Sequence, residues 1–416
     1  EGLSADQLMG PKIRTVNPLR WEIGHVAYWY EYFILRSLDG EKSLLGARAD
    51  ELYDSIAVVH DTRWDLPLLS LEETLDYMQG VMDRLVDRLG TISHDTLASE
   101  VDSFIYQFGV FHEDMHTEAF LWARQTLAYP TPKLVVAEDV AAERAAGPWP
   151  GYVEIPGGMF RMGAEKDAPF LFDNEKYAHD VTVAPFAIAR APVTNAEFAE
   201  FVAADGYAND AYWCDVGKAW RNMRGIDHPG YWVKNGRNRW RMRRFEHDIV
   251  LPENEPVIHV SWYEASAYCR WAGERLPTEL EWEVAALGTL AADGSLAVTK
   301  RRYPWGHTPP TPNCANLDAR ALGSIDVGAL PDGDSAFGCR QMLGNVWEWT
   351  ADTFQPFPDF APDSYQEYSK GLFGNTKVLR GGAWTTRGRM MHGTYRNYFS
   401  PDRWNVFSGF RTCRNV

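Results

Sequence analysis

Residues Phe111–Phe120 read FHEDMHTEAF, inside a stretch whose apolar residues recur at helical spacing over about 97–127. His112 and His116 stand four apart. On a helix that spacing projects both imidazoles from one face, about one turn apart, so both can reach a single ion. A pair of surface or capping histidines is the plainer explanation. The string is also formally H-E-x-x-H, which would make Glu113 the general base of a zinc protease. Nothing else in the chain resembles a protease cleft, so that reading is set aside. His25 tips the balance, because it lies mid-helix in the apolar run IGHVAYW, where an unpartnered imidazole is costly. Alone it reads as a satisfied core histidine; beside the helical pair it reads as a third ligand. Glu113 and Glu118 flank the pair and are candidates to orient an imidazole from behind. Three imidazoles suit zinc, iron or copper.

Working outward, Pro18–Arg36 is expected to be a helix with Asn17 as cap and Pro18 in its first turn. Ser70–Leu89 opens with a capping-box pattern, Ser70 and Glu73. A short helix is expected at Leu3–Met9, and an irregular stretch at Ala47–Leu69. Residues 1–130 therefore read as an antiparallel helical bundle. Residues 131–150, rich in Pro and Ala, are expected to be a linker. From Gly151 the texture changes to short strand-like runs (GYVEIPG, FRMGA, HDVTVAPFAIA, KVLRGGAW) between Gly, Pro and Asn turns. Helices are expected there only at Asn195–Ala203 and Trp262–Gly273, with a further piece at Glu279–Leu287. Residues 151–416 thus form an α+β domain, and the whole is a two-domain α+β chain.

Composition removes several function classes. The net charge is -16, and the one basic run, Arg237–Arg244, reads as a solvated loop or strand, so no nucleic-acid face is expected. No long apolar run or leader pattern is present, so no membrane association is expected and the cytoplasm is the default compartment. The five cysteines form no CxxC pair, which suits a reducing compartment and argues against a disulfide framework. Aromatics are abundant, with 17 Trp, 19 Tyr and 20 Phe, enough to wall a pocket for a flat or cationic ligand.

NPLRWEIGHVAYWYE (17–31) and FHEDMHTEAFLWARQTLAYP (111–130) resemble the DinB-like metal-binding bundle of the sulfoxide synthases of ergothioneine biosynthesis and of their relatives, the selenoneine synthases. IPGGMFRMG, ARAPVTNAEFAEFV, PVIHVSWYEASAYCRWAGERLPTELEWEVAA, YPWG, MLGNVWEWTAD and VLRGGAW resemble the formylglycine-generating-enzyme fold, itself C-type-lectin-like. The resemblance covers nearly the whole chain. It implies an enzyme that uses Fe2+ and O2 to join sulfur or selenium to the imidazole of hercynine, N-α-trimethylhistidine. It implies His25, His112 and His116 as the iron ligands, leaving open positions for oxygen and the donor. In TYRNYFSPDRWNVFSGFR (394–411) it implies Asn397 as a hercynine contact and Arg403 as a partner of the donor's carboxylate. Tyr368 is the candidate proton donor, with Tyr365 close behind. A quaternary ammonium donates no hydrogen bond, so Trp384, Tyr398 and Trp404 are the candidate aromatic faces for it.

Departures from the family pattern bear on the donor. Members using γ-glutamylcysteine carry an acid two residues after the pocket Asn, where this chain has Phe399. In YDSIAVVHDTRWD (53–65) only Arg63 remains to meet a carboxylate. Fewer charged clamps argue against a multiply carboxylated donor and toward a neutral selenosugar, with the selenoneine branch preferred and cysteine or γ-glutamylcysteine as the alternative donor. The resemblance also allows a structural Ca2+ near Asn316, Asp326 and Asn345. Two rivals remain. A formylglycine-generating enzyme needs a reactive cysteine pair near the C-terminus, and here Cys413 stands alone, with Tyr398 and Phe399 where its partner belongs. A lectin-like binding module would leave the three histidines unexplained.

Overall fold

Serine caps start two helices of the N-terminal unit. Ser4 and Gln7 form a capping box for α1 (Ala5–Met9), and Ser70 and Glu73 form one for α4 (Leu71–Thr91), the latter as its sequence pattern requires. The computed structural model describes residues 2–93, 100–135, 138–236 and 239–416. It divides into two compact units, Glu1–Pro132 and Lys133–Val416. Between the capped helices run α2 (Leu19–Tyr30), which continues as a π-helix over Glu31–Arg36, and α3 (Arg48–Tyr53). The last helix is α5 (Glu100–Thr126). The expected Asn17 cap is not observed: Pro18 takes the cap position, and Asn17 Nδ2 donates to Glu22 instead. The stretch expected to be irregular holds α3, short enough that its apolar periodicity spans little more than a turn.

α2 is buried nearly all round, with Trp21, Ala27 and Trp29 at its core, and packs against both α4 and α5. A buried carboxylate ties these elements. Glu31 accepts from Ser43 Oγ, Leu44 N and Tyr77 Oη, which satisfies a charge that would otherwise be expensive to bury. Gly24 lets the Tyr53 ring close on α2. A Cβ on Gly24 would lie 2.2 Å from Tyr53 Cε1.

In the second unit, β1 (Tyr152–Ile155) and β12 (Cys413–Asn415) flank β4 (Phe186–Ala189) in one antiparallel sheet, so residues from both ends of the unit share a sheet. β2 (Gly158–Met162) and β3 (His179–Val183) form a hairpin. β5 (Trp232–Lys234), β6 (Trp240–Arg244) and β7 (His247–Val250) form a meander. A four-stranded sheet runs β10–β9–β8–β11, from β8 (Trp347–Thr353), β9 (Lys377–Arg380), β10 (Asn397–Phe399) and β11 (Ser408–Gly409). Its helices are α6 (Asn195–Ala203), α7 (Asp215–Arg224), α8 (Trp262–Trp271) and α9 (Glu279–Leu287).

Helix α7 was not expected. Its cap is Cys214, whose Sγ accepts from Gly217 N, so the usual start signal is missing, although Val216, Ala219, Trp220 and Met223 do recur at helical spacing. The stretch expected to link the domains is, from Glu138 onward, part of the second unit. Glu138 N donates to Arg320 O, Val140 joins an apolar cluster with Ala321, Ile325, Ala329 and Leu330, and Gly147 N donates to Asp326. Of the basic run, Trp240–Arg244 is strand β6, with Arg241 paired to Asp248 and Arg244 to Glu255; residues 237 and 238 lie outside the described ones.

Long loops in this unit are cross-linked by buried arginines. Arg380 bridges Glu279 and Glu283, Arg411 is bidentate to Glu348, and Arg396 holds Glu279 together with the carbonyls of Asn174 and Gln355. Removing one partner of such a pair strands a buried charge. Among the described residues no helix is long and apolar enough to cross a membrane.

Gly24→Ala is expected to lower stability by about 1–3 kcal/mol through overpacking against Tyr53. Gly90, beside which an added Cβ meets nothing within 4 Å, is the control; Gly90→Ala is expected to be neutral or stabilising by up to about 1 kcal/mol from helix propensity. Urea unfolding of both variants decides it.

Candidate metal centre

His25 sits mid-way along α2, and His112 and His116 lie one turn apart on α5. The packing of these helices brings the three imidazoles together. Ring centroids are 5.4 Å apart for His25 and His112, 4.9 Å for His25 and His116, and 4.5 Å for His112 and His116. One nitrogen of each lies within 4.8 Å of the others.

The far sides of two rings are held. Tyr53 O lies 2.8 Å from His25 Nδ1, and a carbonyl only accepts, so that nitrogen carries the proton. Glu22 Oε1 lies 3.1 Å from His116 Nδ1, which places the proton there too. Both Nε2 lone pairs are then left for the centre of the cluster. His116 Nε2 and His112 Nε2 approach to 3.3 Å. Burial, then the nearby His116, lowers the His25 pKa to about 3; burial, His116 and His25 push His112 well below its ordinary value. Neutral imidazoles with converging lone pairs are what a divalent transition metal requires. The donor set fits such an ion, and three protein ligands leave coordination positions for small molecules.

Two indoles wall the cluster. Trp21 stacks on His25 at 4.8 Å, and Trp29 stacks on His112 at 4.9 Å. Glu22, rather than Glu113, supplies the carboxylate behind His116. Glu113 instead accepts from Tyr30 Oη, and Glu118 is buried. The signal for Glu22 was present: it precedes His25 by three residues, hence shares its helix face. Arg63 lies in the same unit. Its guanidinium stacks on Trp21 at 3.8 Å and donates to Asn17 Oδ1 and to the carbonyls of Ser55 and Val58, so it is engaged within the bundle.

The second unit places the other candidates on and around β10. Asn397 pairs with Leu379 of β9, and its Oδ1 accepts from Tyr398 N. Its neighbour Arg396 is clamped by Glu279 at 2.7 and 3.0 Å. Tyr398 stacks on Phe354 at 4.2 Å and donates its hydroxyl to the Tyr368 carbonyl. Tyr368 stacks on Phe172 at 5.0 Å, with its hydroxyl 3.5 Å from that of Tyr395, and burial raises its pKa well above the ordinary phenol value. Tyr365 is 6.5 Å from Tyr368, centroid to centroid. Arg403 lies over Phe399 at 5.5 Å.

The three expected cage aromatics are not in ring contact with one another. Trp384 is a core residue, 2% exposed, packed on Phe407 and Phe245. Trp404 contacts Tyr231 at 5.1 Å and carries Arg224 at 4.0 Å.

Of the residues named for calcium, Asn316 and Asn345 bond to each other, while the Asp326 carboxylate is bonded to the backbone. Asn316 Nδ2 donates to Asn345 Oδ1, Asn345 Nδ2 donates to Gln341 Oε1, and Asp326 Oδ2 accepts from Gly147 N. This network lends a calcium ion no support. Cys413 is fully buried, with its pKa pushed up to about 12 by burial and then by Glu281.

Residues 1–120 match the DinB superfamily, and residues 137–416 match the family described as Sulfatase-modifying factor enzyme 1-like domain. The chain is 39% identical to the hercynine oxygenase of Mycobacterium tuberculosis, over 96% of this chain and 92% of that one. It is 36% identical to the hercynine oxygenase of Mycolicibacterium smegmatis, with the same coverages. A formylglycine-generating enzyme of Streptomyces coelicolor is 34% identical over 64% of this chain and 89% of its own. The architecture is that of a DinB-like bundle fused to a sulfatase-modifying-factor-like domain, as in the ergothioneine sulfoxide synthases, and the protein is an oxidoreductase. The chain belongs to the hercynine oxygenase family. That membership, together with the histidine cluster, replaces the lectin-like binding-module reading.

Glu22→Gln keeps the size of the side chain and removes the charge behind His116. It is expected to weaken metal binding by about 10–100-fold, the range for loss of an orienting partner. His112→Ala is expected to abolish stoichiometric binding. Metal titration followed by elemental analysis measures both.

Proposed function

We propose that the chain oxidatively joins selenium or sulfur to the imidazole ring of hercynine at an iron(II) ion held by His25, His112 and His116, with a neutral selenosugar as preferred donor. The observation that carries this is the convergence of three imidazole nitrogens within 4.8 Å, two of them with the proton fixed on the far nitrogen. Iron(II) in that set supplies the dioxygen chemistry. Burial keeps His25 and His112 neutral, and Trp21 and Trp29 make the surroundings apolar.

Asn397 is assigned to hercynine, held in place by the Arg396–Glu279 clamp beside it. Tyr368 is assigned as proton donor. Burial keeps its phenol protonated at neutral pH, as a donor must be. Cysteines that are all free suit a reducing compartment, and the reading places the reaction in the cytoplasm.

The donor preference rests on charge. A γ-glutamylcysteine pocket must meet two carboxylates and an ammonium. Arg63 is spent inside the bundle, and Phe399, with Arg403 over its ring, offers no acid for the ammonium. A buried charge left unpaired costs about 3–5 kcal/mol. In competition for one limiting pool of hercynine, a selenosugar is expected to outcompete both cysteine and γ-glutamylcysteine, read by mass spectrometry of the products. Predominance of a γ-glutamylcysteine or cysteine product returns the protein to sulfur chemistry and overturns the donor assignment.

A further inference from the structure

Asn17 makes no helix cap; its side-chain amide instead lies between a cation and a carboxylate. Arg63 Nη1 donates to Asn17 Oδ1 at 2.7 Å, and Asn17 Nδ2 donates to Glu22 Oε1 at 3.3 Å. The same Glu22 oxygen lies 3.1 Å from His116 Nδ1. The direction of these bonds is forced. A guanidinium only donates, so it can face only the oxygen of the amide; the amide NH2 is then left for a carboxylate, which accepts. One directed chain runs from Arg63 through Asn17 to Glu22, and it ends on the oxygen that holds the His116 proton.

The far end of this chain is anchored. The Arg63 guanidinium lies 3.8 Å over the Trp21 ring, and its Nη2 donates to the carbonyls of Ser55 and Val58 at 3.3 and 3.4 Å. Trp21 is itself fixed. Its Nε1 donates to Leu52 O at 2.7 Å, and its ring stacks on His25 at 4.8 Å with 9° between the planes. Stacking and hydrogen bonds together set the plane of the guanidinium, and so the direction of Nη1. Glu22 is 2% exposed, so protein donors rather than water decide where its oxygens point. Asn17 is the donor to Oε1 besides His116. Every residue in the chain belongs to the N-terminal unit.

We propose that Asn17, held by Arg63, is a positioning residue for the metal centre: it fixes the Glu22 carboxylate where that group orients His116. This rests on the reading of the three histidines as metal ligands. It also gives Arg63 a role that needs no donor carboxylate.

The experiment uses the full chain loaded with cobalt(II) in place of iron(II), with neither hercynine nor a donor present. The variants are Asn17→Leu, Glu22→Gln and the two combined, with thermal unfolding of each metal-free protein. Cobalt affinity is one readout. The other is the paramagnetically shifted, exchangeable Nδ1 protons of the ligand imidazoles, where the His116 signal is identified by its change in Glu22→Gln. Asn17→Leu is expected to weaken cobalt binding by about two- to tenfold, less than Glu22→Gln does. It is expected to shift the His116 proton and speed its exchange with solvent, leaving the His25 proton, held by Tyr53 O, where it was. In the Glu22→Gln background the same substitution is expected to cost less than about twofold, because Asn17 acts through that carboxylate. Equal losses in both backgrounds, with both protons moved, would mark a general packing role and overturn the proposal. Unchanged affinity with an unmoved His116 proton would overturn it as well. Should Asn17→Leu fail the unfolding control, Asn17→Ser, too short to span Arg63 and Glu22, carries the same comparison. Wild type that binds no cobalt overturns the metal-centre reading, and the positioning role with it.

Discussion

An imidazole ligates a metal only when it is neutral and its lone pair faces the ion, and both conditions are decided at the nitrogen that does not touch the metal. Here that control comes from a backbone carbonyl, Tyr53 O behind His25, and a carboxylate, Glu22 behind His116. Each depends on close packing around α2. Tyr53 reaches His25 because Gly24 has no side chain, and Glu22 reaches His116 because α2 and α5 pack directly. The burial that makes an unpaired imidazole expensive also keeps His25 and His112 uncharged.

The second unit solves a different problem. Its helices and strands are short and its loops long, so an apolar core alone leaves many segments loosely specified. Buried arginines fasten them: Arg380, Arg396 and Arg411 are each tied to glutamates from distant parts of the chain. Arg396, next to Asn397, hydrogen-bonds two loop carbonyls as well as Glu279. The start of β10 is thereby fastened to remote loops and to α9.

Much of this was legible from residues alone. The His112/His116 spacing on a helix needs only the 3.6-residue repeat, and the apolar run around His25 marks a buried polar group that must have a partner. The capped helix α4 followed from Ser70 with Glu73 three residues on. What the sequence concealed were partners set by tertiary packing. Glu22 outranks Glu113 because helix rotation, not proximity in the chain, decides which carboxylate backs His116. Trp384 looked like a pocket wall and is core, since its ring is enclosed by Phe245 and Phe407 from remote segments. Arg224 lay on a helix capped by a cysteine, which masked its start, and its stacking on Trp404 depends on a remote segment.

The account stands on the histidine cluster acting as an iron site. X-ray absorption of the iron(II)-loaded protein counts the imidazoles on the metal directly. Three histidine rings from one cluster predict multiple-scattering features of three imidazoles and otherwise light oxygen ligands. A fit that requires sulfur, or that admits no more than one imidazole, would contradict it.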